Sequence, residues 1–184
     1  IEYLFPFGWG EITGTHNRTN YDLTRHQEYS KERQEYLDPE TNEKYIPYIV
    51  ESTYGLDRTV LAILFNSYEK ETLENGEERE VMHFIPYLAP YKCAVLPLVK
   101  KYHSEKAKEI YEKLCKSFMT SYDESGSIGK RYRRQDAIGT PYCITIDEDT
   151  LNNNTVTIRS RDTMEQIKLN IDEVENYINS KIKF

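Results

Sequence analysis

The chain has 184 residues, of which 30% are charged and 38% hydrophobic, the composition of an ordinary globular protein with room for one large domain or two small ones. Its formal net charge of −7 argues against a protein that coats nucleic acid by charge alone. No run approaches the ~18 consecutive apolar residues that a membrane span needs, and the first residues do not follow the plan of a signal peptide.

The cysteines indicate a reducing compartment. Cys93, Cys115 and Cys143 are widely spaced and form no CxxC pair, which excludes a disulfide framework and a zinc knuckle. We therefore expect a cytoplasmic protein without a membrane partner. Because the sequence begins at Ile1 without a methionine, we also expect it to be a piece of a longer protein.

The most informative helix signal in the first part covers residues 55–68. Residues 60–65 are apolar on all sides, which predicts a helix buried in a larger body. Arg58 lies in its opening turn, where a guanidinium needs an anion because an unpaired buried charge is costly. Two partners remain open: a structural ion pair with Asp57 or Glu51, or a phosphate, which both a helix N-terminus and an arginine favour.

The charge is unevenly distributed along the chain. Residues 1–90 carry 17 acidic and 8 basic side chains, net −9, whereas residues 91–184 carry 14 acidic and 16 basic ones, net +2. An acidic stretch at 69–80, which contains Asn75-Gly76, predicts an exposed turn. The two prolines within 83–90 favour an extended connector. We place a domain boundary at about residue 86.

The second part begins with a buried strand and a helix. Residues 93–99 form an apolar run without polar alternation, typical of a strand buried on both faces. Ser104 is a plausible N-cap for the helix that follows. Five apolar residues recur at helical spacing and predict one buried face of this helix: Ala107, Ile110, Tyr111, Leu114 and Phe118.

A second helix and three strands follow the turn at 123–127. The helix covers 128–138 and ends at Gly139, with Pro141 just beyond. Strands at 142–146 and 155–158 flank the turn-rich residues 149–154 and predict a hairpin.

The chain closes with a strand at 165–169 and a helix capped by Asn170. One face of this helix is formed by Ile171, Val174, Ile178 and Ile182. The second part is thus predicted to be an α/β sandwich built on a mixed sheet with about three helices.

Several motifs follow one another in a fixed order. They are FPFGWGE at 5–11, NRTNYDLTRH at 17–26, ESTYGLDR at 51–58, LAPYK at 88–92, AVLPL at 94–98, YDESGSIGKRYRRQD at 122–136, GTP at 139–141 and RSRDTMEQ at 159–166. As an ordered set covering essentially the whole chain, they resemble the dimeric, class II glycyl-tRNA synthetases.

The resemblance implies a domain assignment and an activity. Residues 1–85 would be the C-terminal portion of the class II catalytic domain, an antiparallel sheet that ends in the third class II motif at 51–58. Residues 86–184 would be the anticodon-binding domain, so that the overall fold class is α+β followed by α/β. The family attaches glycine to tRNA(Gly) in an ATP-dependent reaction through glycyl-adenylate.

The resemblance also implies site residues. ATP and Mg²⁺, bound as substrate, would contact Glu11, Ile12, Arg18, Gly55 and Arg58. Glycine would lie against Glu51, Ser52 and Thr53, where a carboxylate suits the ammonium group. An arginine that pairs with phosphate oxygens can stabilise the charge that develops on pyrophosphate. We expect positioning and electrostatics to dominate, with no general base and no zinc, and a homodimer for the full-length family member.

The chain departs from the family pattern at the glycine site. Ser52 stands where proline is usual, Thr53 where serine is usual, and Asn20 where aspartate is usual; Thr15 and His16 replace small apolar residues. The 184 residues also contain neither the first nor the second class II motif. We therefore expect that this polypeptide alone does not aminoacylate tRNA.

A basic run in the second part is a candidate tRNA contact. Lys130, Arg131, Arg133 and Arg134 are interpreted as one basic helix face. Such runs are often solvated surface, but tyrosines that could stack on unpaired bases lie nearby in sequence: Tyr122, Tyr132 and Tyr142. The four histidines lack the spacing of metal ligands.

Three hypotheses follow for the function. The leading one is the C-terminal part of a glycyl-tRNA synthetase. The second is a catalytically inactive, synthetase-like accessory protein that binds nucleic acid, against which the presence of Glu11, Arg18, Glu51 and Arg58 argues. The third is a structural module whose arginines form only internal ion pairs.

Overall fold

The computed structural model describes residues 1–183. The chain forms two compact units, the first spanning Ile1–Phe65 and the second beginning at Asn66. Within the described residues, no helix combines the length and the apolar character needed to cross a membrane.

The first unit is built from short antiparallel strand pairs and two helices. β1 (Glu2–Phe5) pairs with β2 (Gly8–Glu11), and β3 (Thr13–Thr19) pairs with β6 (Ile49–Tyr54). Between these last two lie α1 (Tyr21–Ser30) and the short pair β4 (Tyr36–Leu37) and β5 (Lys44–Tyr45). The strands are antiparallel, but they form separate two-stranded pairs rather than one continuous sheet.

Helix α2 (Leu56–Ser67) confirms the predicted helix, but its predicted burial is wrong. Ala62 is buried, whereas Val60, Leu64 and Phe65 have 49%, 40% and 41% of their surface exposed. The helix does carry apolar side chains on all its sides, but among the described residues only part of this apolar surface is covered. Large apolar side chains on the neighbouring strand are exposed as well, including Val50 and Tyr54.

The second unit opens with a hairpin where an exposed turn was predicted. β7 (Tyr68–Thr72) pairs with β8 (Glu78–Met82), and Gly76 supplies a positive φ in the connecting turn. Arg79 and Val81 alternate inward and are buried. This hairpin belongs to the second unit, so the unit begins about 20 residues before the boundary predicted near residue 86; residues 83–92 contain neither helix nor strand.

The core of the second unit is a five-stranded mixed sheet in the order β10-β9-β11-β12-β13. Its strands are β9 (Cys93–Pro97), β10 (Thr120–Tyr122), β11 (Tyr142–Ile146), β12 (Thr155–Ser160) and β13 (Gln166–Asn170). β9 is parallel to β10 and β11, whereas β12 is antiparallel to β11 and β13. The mixed α/β sandwich is thus confirmed, and β9 is buried on both faces as predicted.

Helices cover both faces of this sheet. On one side, α3 (Lys100–Leu114) and α6 (Val174–Lys181) pack through Ala107, Ile110 and Ile178 against the strands. On the other side, α4 (Ile128–Ile138) packs through Ile128 and Tyr132 against three side chains of β9 and β11, which are Ala94, Leu96 and Cys143. A short helix, α5 (Glu148–Asn153), joins β11 to β12.

Helix boundaries show where the sequence predictions succeed and fail. α4 begins and ends where predicted, and Gly139 takes a φ of 82° at its C-cap. α3 begins at Lys100, four residues before the predicted cap Ser104, whose hydroxyl instead donates to Glu124. Residues 148–153 form α5 rather than a plain turn, because Asp147 and Thr150 make a capping box.

The closing helix also has a modified start. Asn170 acts as the N-cap, as predicted, but of a 3₁₀ turn (Ile171–Glu173) that leads into α6. Ile171, Val174 and Ile178 are buried, which confirms the predicted apolar face.

Candidate functional site

A cleft of about 430 Å³ lies at the N-terminus of α2 in the first unit. The β3–β6 pair positions it: Thr13 lies opposite Tyr54, and the hydroxyl of Thr13 donates to the carbonyl of Thr53 at 2.6 Å. Gly55 N–H then donates to the Ile12 carbonyl at 2.7 Å, which fixes the start of α2 beside the end of β2. The first-turn amides of a helix have no intrahelical acceptors, so this wall of the cleft offers hydrogen-bond donors.

Arg58 reaches across this cleft. Its Nη1 donates to the backbone carbonyl of Glu11 at 2.7 Å, and the side chain is exposed. The predicted ion pair with Asp57 or Glu51 is not formed, and the burial from which that prediction was argued is absent. Arg58 lines the cleft, and among the described residues no carboxylate lies within salt-bridge distance of its guanidinium.

The structure brings most of the predicted nucleotide residues together. The cleft is lined by Glu11, Ile12, Thr53, Tyr54, Gly55, Leu56, Asp57 and Arg58. It therefore combines two carboxylates, one guanidinium and a helix N-terminus. This is the set of charges that a magnesium-bound phosphate chain needs.

The remaining predicted residues lie on the adjoining β3–β6 pair, outside the cleft lining. Nε of Arg18 donates to Oε2 of Glu51 at 3.2 Å, and this carboxylate raises the pKa of Arg18. The Thr15 and Ser52 hydroxyls lie 3.0 Å apart across the same strands. The glycine-site residues Glu51, Ser52 and Thr53 are thus consecutive on one strand, but only Thr53 faces the cleft.

A second, larger cleft of about 710 Å³ lies in the second unit. Its walls come from the first half of α4, the end of β12, the β12–β13 loop and the tip of the β7–β8 hairpin. The lining residues are Glu77, Gly129, Lys130, Tyr132, Arg133, Arg134, Arg159, Met164 and Gln166. Four cations and one carboxylate face this space, so we call it the basic cleft.

A buried carboxylate organises the basic cleft from below. Asp136 is fully buried and accepts two hydrogen bonds from Arg159, at 2.8 and 3.1 Å, and one from Arg79 at 3.1 Å. The Arg159 guanidinium lies 4.9 Å from the centre of the Tyr132 ring. Tyr132 is held in turn by its hydroxyl, 2.6 Å from that of Thr145. These contacts fix Arg159 in one orientation at the cleft wall.

Arg131 does not share the basic face on which it was predicted. It is buried, and its guanidinium donates to the Pro97 and Gly126 carbonyls, which ties α4 to β9 and to the preceding turn. Its Nε has no hydrogen-bond partner. Because neighbouring residues of a helix are separated by about 100°, four cations within five positions cannot all share one face.

The other three residues of the predicted basic face line the basic cleft. Lys130 is exposed and has no ion-pair partner among residues 1–183. Arg134 is held by Asp123, with distances of 2.8 and 2.6 Å, and by the Ser125 carbonyl. Arg133 Nη2 lies 3.5 Å from Oε2 of Glu77.

The proposed stacking tyrosines are less accessible than expected. Tyr142 is buried, and Tyr122 packs on the core with its hydroxyl donating to Glu124 at 2.7 Å. Burial raises the pKa of both Tyr122 and Tyr142. Tyr132 alone of the three lines the basic cleft, and Arg159 lies over its ring.

A cluster around His83 lies on the hairpin. Nε2 of His83 is 2.8 Å from Glu71 and 3.7 Å from Glu69, and Nδ1 is 2.7 Å from Asp162. The Arg79 guanidinium bonds the other oxygen of Glu71 and lowers the pKa of that carboxyl. These groups already hydrogen-bond one another, so the arrangement is an ion-pair network; the absence of zinc stays a prediction.

Sequence reasoning missed Arg159, Glu77 and Gln166 as cleft residues. Arg159 belongs to the motif at 159–166, yet no periodicity in the sequence links it to α4. Glu77 was assigned to an acidic turn. Only the pairing of β12 with β13 and the packing of the hairpin bring these residues to one place.

Comparison with known proteins finds relatives for the whole chain. Residues 92–181 match the family described as "Anticodon binding domain". Over all 184 residues the chain is 59% identical to a glycine–tRNA ligase of Clostridium beijerinckii and 58% identical to that of Geobacillus kaustophilus, and covers 40% of each. The chain thus spans about two fifths of the length of these relatives.

A solved structure supports the fold. The RNA binding domain of threonyl-tRNA synthetase from Cryptosporidium parvum superposes with a TM-score of 0.61 at 23% identity, covering 80% of this chain and 34% of that one. Apart from Glu77 at the hairpin tip, the residues that line the basic cleft lie within residues 92–181, the range that matches the anticodon-binding domain. Residues 92–181 thus match an anticodon-binding domain, and the chain is similar over its whole length to glycine–tRNA ligases, of which it covers two fifths.

Proposed function

We propose that this chain is part of a glycine–tRNA ligase, which attaches glycine to tRNA(Gly) at the expense of ATP, and that its second unit binds the anticodon. The observation that carries the proposal is the basic cleft: three exposed or half-exposed cations of α4 beside an aromatic ring, within the anticodon-binding domain. Single-stranded anticodon bases suit such a site, because they can be hydrogen-bonded at their edges while the cations hold the phosphates.

The cations divide between two tasks. Lys130 and Arg134 are the more exposed, and we assign them to the phosphate backbone. Arg133 and Arg159 lie deeper and are oriented by carboxylates, so we assign them to base edges. Arg131 supports this surface from inside through its two carbonyl contacts.

The first unit would contribute to the activation of glycine. Arg58 and the N-terminus of α2 would hold ATP phosphates, and the Glu11 carboxylate would face the magnesium ion. The backbone N–H of Gly55 donates to the Ile12 carbonyl at 2.7 Å, which holds the start of α2 beside residue 12. The role of Arg58 is electrostatic, since phosphate oxygens gain charge as pyrophosphate leaves.

The Arg18–Glu51 pair would separate when the substrates bind. The pair is exposed at the surface of β3 and β6, and such pairs are weak in water. Arg18 can then contact ATP, while Glu51 receives the glycine ammonium beside Ser52 and Thr53. Magnesium enters with ATP as substrate, and the full-length protein is proposed to be a cytoplasmic homodimer.

Binding of tRNA(Gly) over a salt series tests the anticodon assignment. We expect the 184-residue protein to bind a tRNA(Gly) transcript more tightly than an unrelated tRNA. Lys130→Gln should reduce the slope of log K against log salt by about 1, as expected for the loss of one phosphate contact. Lys116→Gln, a change at an exposed lysine outside the cleft, should leave the slope unchanged.

The same measurement separates the alternative hypotheses. Equal, salt-sensitive binding of all RNAs would favour an accessory nucleic-acid-binding protein. An absence of binding would leave only a structural module. Because the chain lacks the first and second class II motifs, we expect no ATP–pyrophosphate exchange by this polypeptide; detectable exchange would contradict that part of the proposal.

A further inference from the structure

The basic cleft contains an apolar side chain whose presence phosphate binding does not explain. Met164 lies in the loop between β12 and β13, and 39% of its surface is exposed. Among the described residues that line the cleft, it carries the one aliphatic apolar side chain; the others are charged, polar, an aromatic ring or a glycine. A thioether makes no favourable contact with phosphate oxygens, so its location here suggests contact with a different part of a ligand.

The backbone at Met164 takes a conformation that does not favour methionine. Its φ is 58°, in the left-handed region that glycine and asparagine adopt readily and that other residues enter at a cost. The turn imposes this conformation: Met164 N–H donates to the Ser160 carbonyl at 3.0 Å, and Ser160 N–H donates to the Glu165 carbonyl at 3.0 Å. The stability of the turn therefore does not account for a methionine here, and strain of this kind is often found at ligand-binding sites.

The loop that carries Met164 is anchored from inside the second unit. Arg161 is buried, and its guanidinium donates to the Gly139 carbonyl at 2.8 Å and to the Phe84 carbonyl at 2.7 Å. Nε of the same arginine donates to Asp162 at 2.7 Å. These contacts hold the loop against the body of the unit, so Met164 is presented at a defined place on the cleft wall.

The cleft offers an unpaired base little other apolar surface. The ring of Tyr132 also lines the cleft, but the Arg159 guanidinium lies over it, 4.9 Å from the ring centre. A base that enters the cleft would therefore leave its flat faces in water unless another side chain covers one of them. Met164 can cover such a face, because its unbranched and polarisable side chain packs favourably on aromatic rings.

We propose that Met164 is an RNA-contacting residue, whose side chain packs on the face of one unpaired base of the anticodon loop in the basic cleft. The inference rests on the proposed anticodon binding. Every base has such a face, so the contact contributes affinity without selecting one base over another. It complements the cations, which hold the phosphates.

Two variants at position 164 test the contact through the affinity for a tRNA(Gly) transcript. Met164→Gly removes the side chain and suits a φ of 58°, so the turn should keep its geometry. Binding should weaken by about threefold to tenfold, the effect of one contact between methionine and an aromatic ring. The slope of log K against log salt should stay unchanged, because no phosphate contact is lost. Met164→Leu keeps an apolar side chain of similar volume and should retain most of the affinity.

A tRNA that lacks one base shows whether the contact is with a base. Semi-synthetic tRNA(Gly) molecules carry an abasic nucleotide at each position of the anticodon loop in turn. For the unaltered protein, one abasic position should weaken binding at least as much as Met164→Gly does. For Met164→Gly, the same abasic nucleotide should weaken binding by a smaller factor, because the side chain that packs on this base is already absent.

The matched control is Met119→Gly, which removes an exposed methionine that does not line the basic cleft. This control should leave the affinity for every RNA unchanged. Circular dichroism checks that all three variants fold.

Three results would overturn the proposal. Unchanged affinity in Met164→Gly, with tRNA(Gly) still bound specifically, would refute the contact and leave anticodon binding standing. Equal weakening of the intact and of every abasic RNA by Met164→Gly would show that the side chain supports the loop and does not touch a base. A failure of the unaltered protein to bind tRNA(Gly) at all would overturn the proposed function itself.

Discussion

Substitution of Asp136 by asparagine probes the centre of the second unit. The carboxylate is fully buried and accepts hydrogen bonds from Arg159 and Arg79, at distances of 2.8 to 3.1 Å, while Arg133 lies 3.8 Å away. An asparagine keeps the shape but has no charge, and its amide N–H₂ would face a guanidinium. The buried Arg159 would then lack its counter-ion, and the buried Arg79 would keep only its pair with Glu71.

The expected cost is large for a single substitution. Removal of one member of a buried ion pair usually costs about 3–5 kcal/mol, because the partner charges stay desolvated. Asp136 serves two buried partners, so we expect Asp136→Asn to lower the free energy of unfolding of the second unit by an amount in this range. We also expect weaker tRNA binding, since Arg159 loses the group that orients it.

Urea unfolding, followed by tyrosine fluorescence and circular dichroism, measures the loss. Asp149→Asn is the matched control: Asp149 pairs with Lys168 at the surface, so its removal should change stability within measurement error. A loss for Asp136→Asn below about 1 kcal/mol, the size of an ordinary substitution, would refute the view that this carboxylate holds the arginines together.

Three further predictions concern other parts of the second unit. Gly139→Ala should destabilise the protein by at least about 1 kcal/mol in the same urea assay, because φ is 82° and a Cβ would lie 2.4 Å from the Phe84 ring; an unchanged midpoint would contradict the described geometry. Hydrogen bonds from Lys100, Tyr122 and Ser104 lower the pKa of Glu124 to about 2, below its ordinary value of 4.5. The contribution of this carboxylate to stability is therefore present above about pH 4.5 and lost as the pH falls towards 2. The difference in unfolding free energy between the unaltered protein and Glu124→Gln should shrink over that interval. A constant difference would exclude this linkage. Burial raises the pKa of Cys93 to about 12 and also raises that of Cys143, whereas Cys115 is exposed; a thiol reagent at pH 8 should label one cysteine in the native protein and three in denaturant, and rapid native labelling of Cys93 would show the burial to be wrong.

Periodicity and capping residues predict the second unit well. The helix at 128–138 and the strand at 93–97 are local: a glycine with positive φ ends the former, and a continuous apolar run marks the latter. These signals lie within a few residues of the element that they define. They can therefore be recognised in the sequence without knowledge of the tertiary structure.

The errors arise where tertiary packing decides. The hairpin at 68–82 was interpreted as a turn because its many charges mask an inward alternation of Arg79 and Val81. Arg131 was grouped with its basic neighbours, although its position on α4 directs it inward towards the Pro97 carbonyl. A buried arginine satisfied by carbonyl oxygens has no local sequence signal.

The first unit shows the converse. The resemblance implied that Glu11, Gly55 and Arg58 belong to one site, and the structure places all three along one cleft, although they are up to 47 positions apart. Composition alone suggested that α2 would be covered, and the described residues leave Val60, Leu64 and Phe65 half-exposed. The roles of these residues in ATP and glycine binding stay predictions.

The attachment of the hairpin matters for anyone who wishes to isolate the second unit. A truncated protein that starts at residue 86 or 92, where sequence similarity suggests a cut, would lack Arg79 and leave one side of Asp136 without its cation. The same truncation would also remove Phe84, whose carbonyl accepts a hydrogen bond from Arg161 and whose ring packs on Gly139. Expression from about residue 66 keeps these partners together, so solubility trials should begin there.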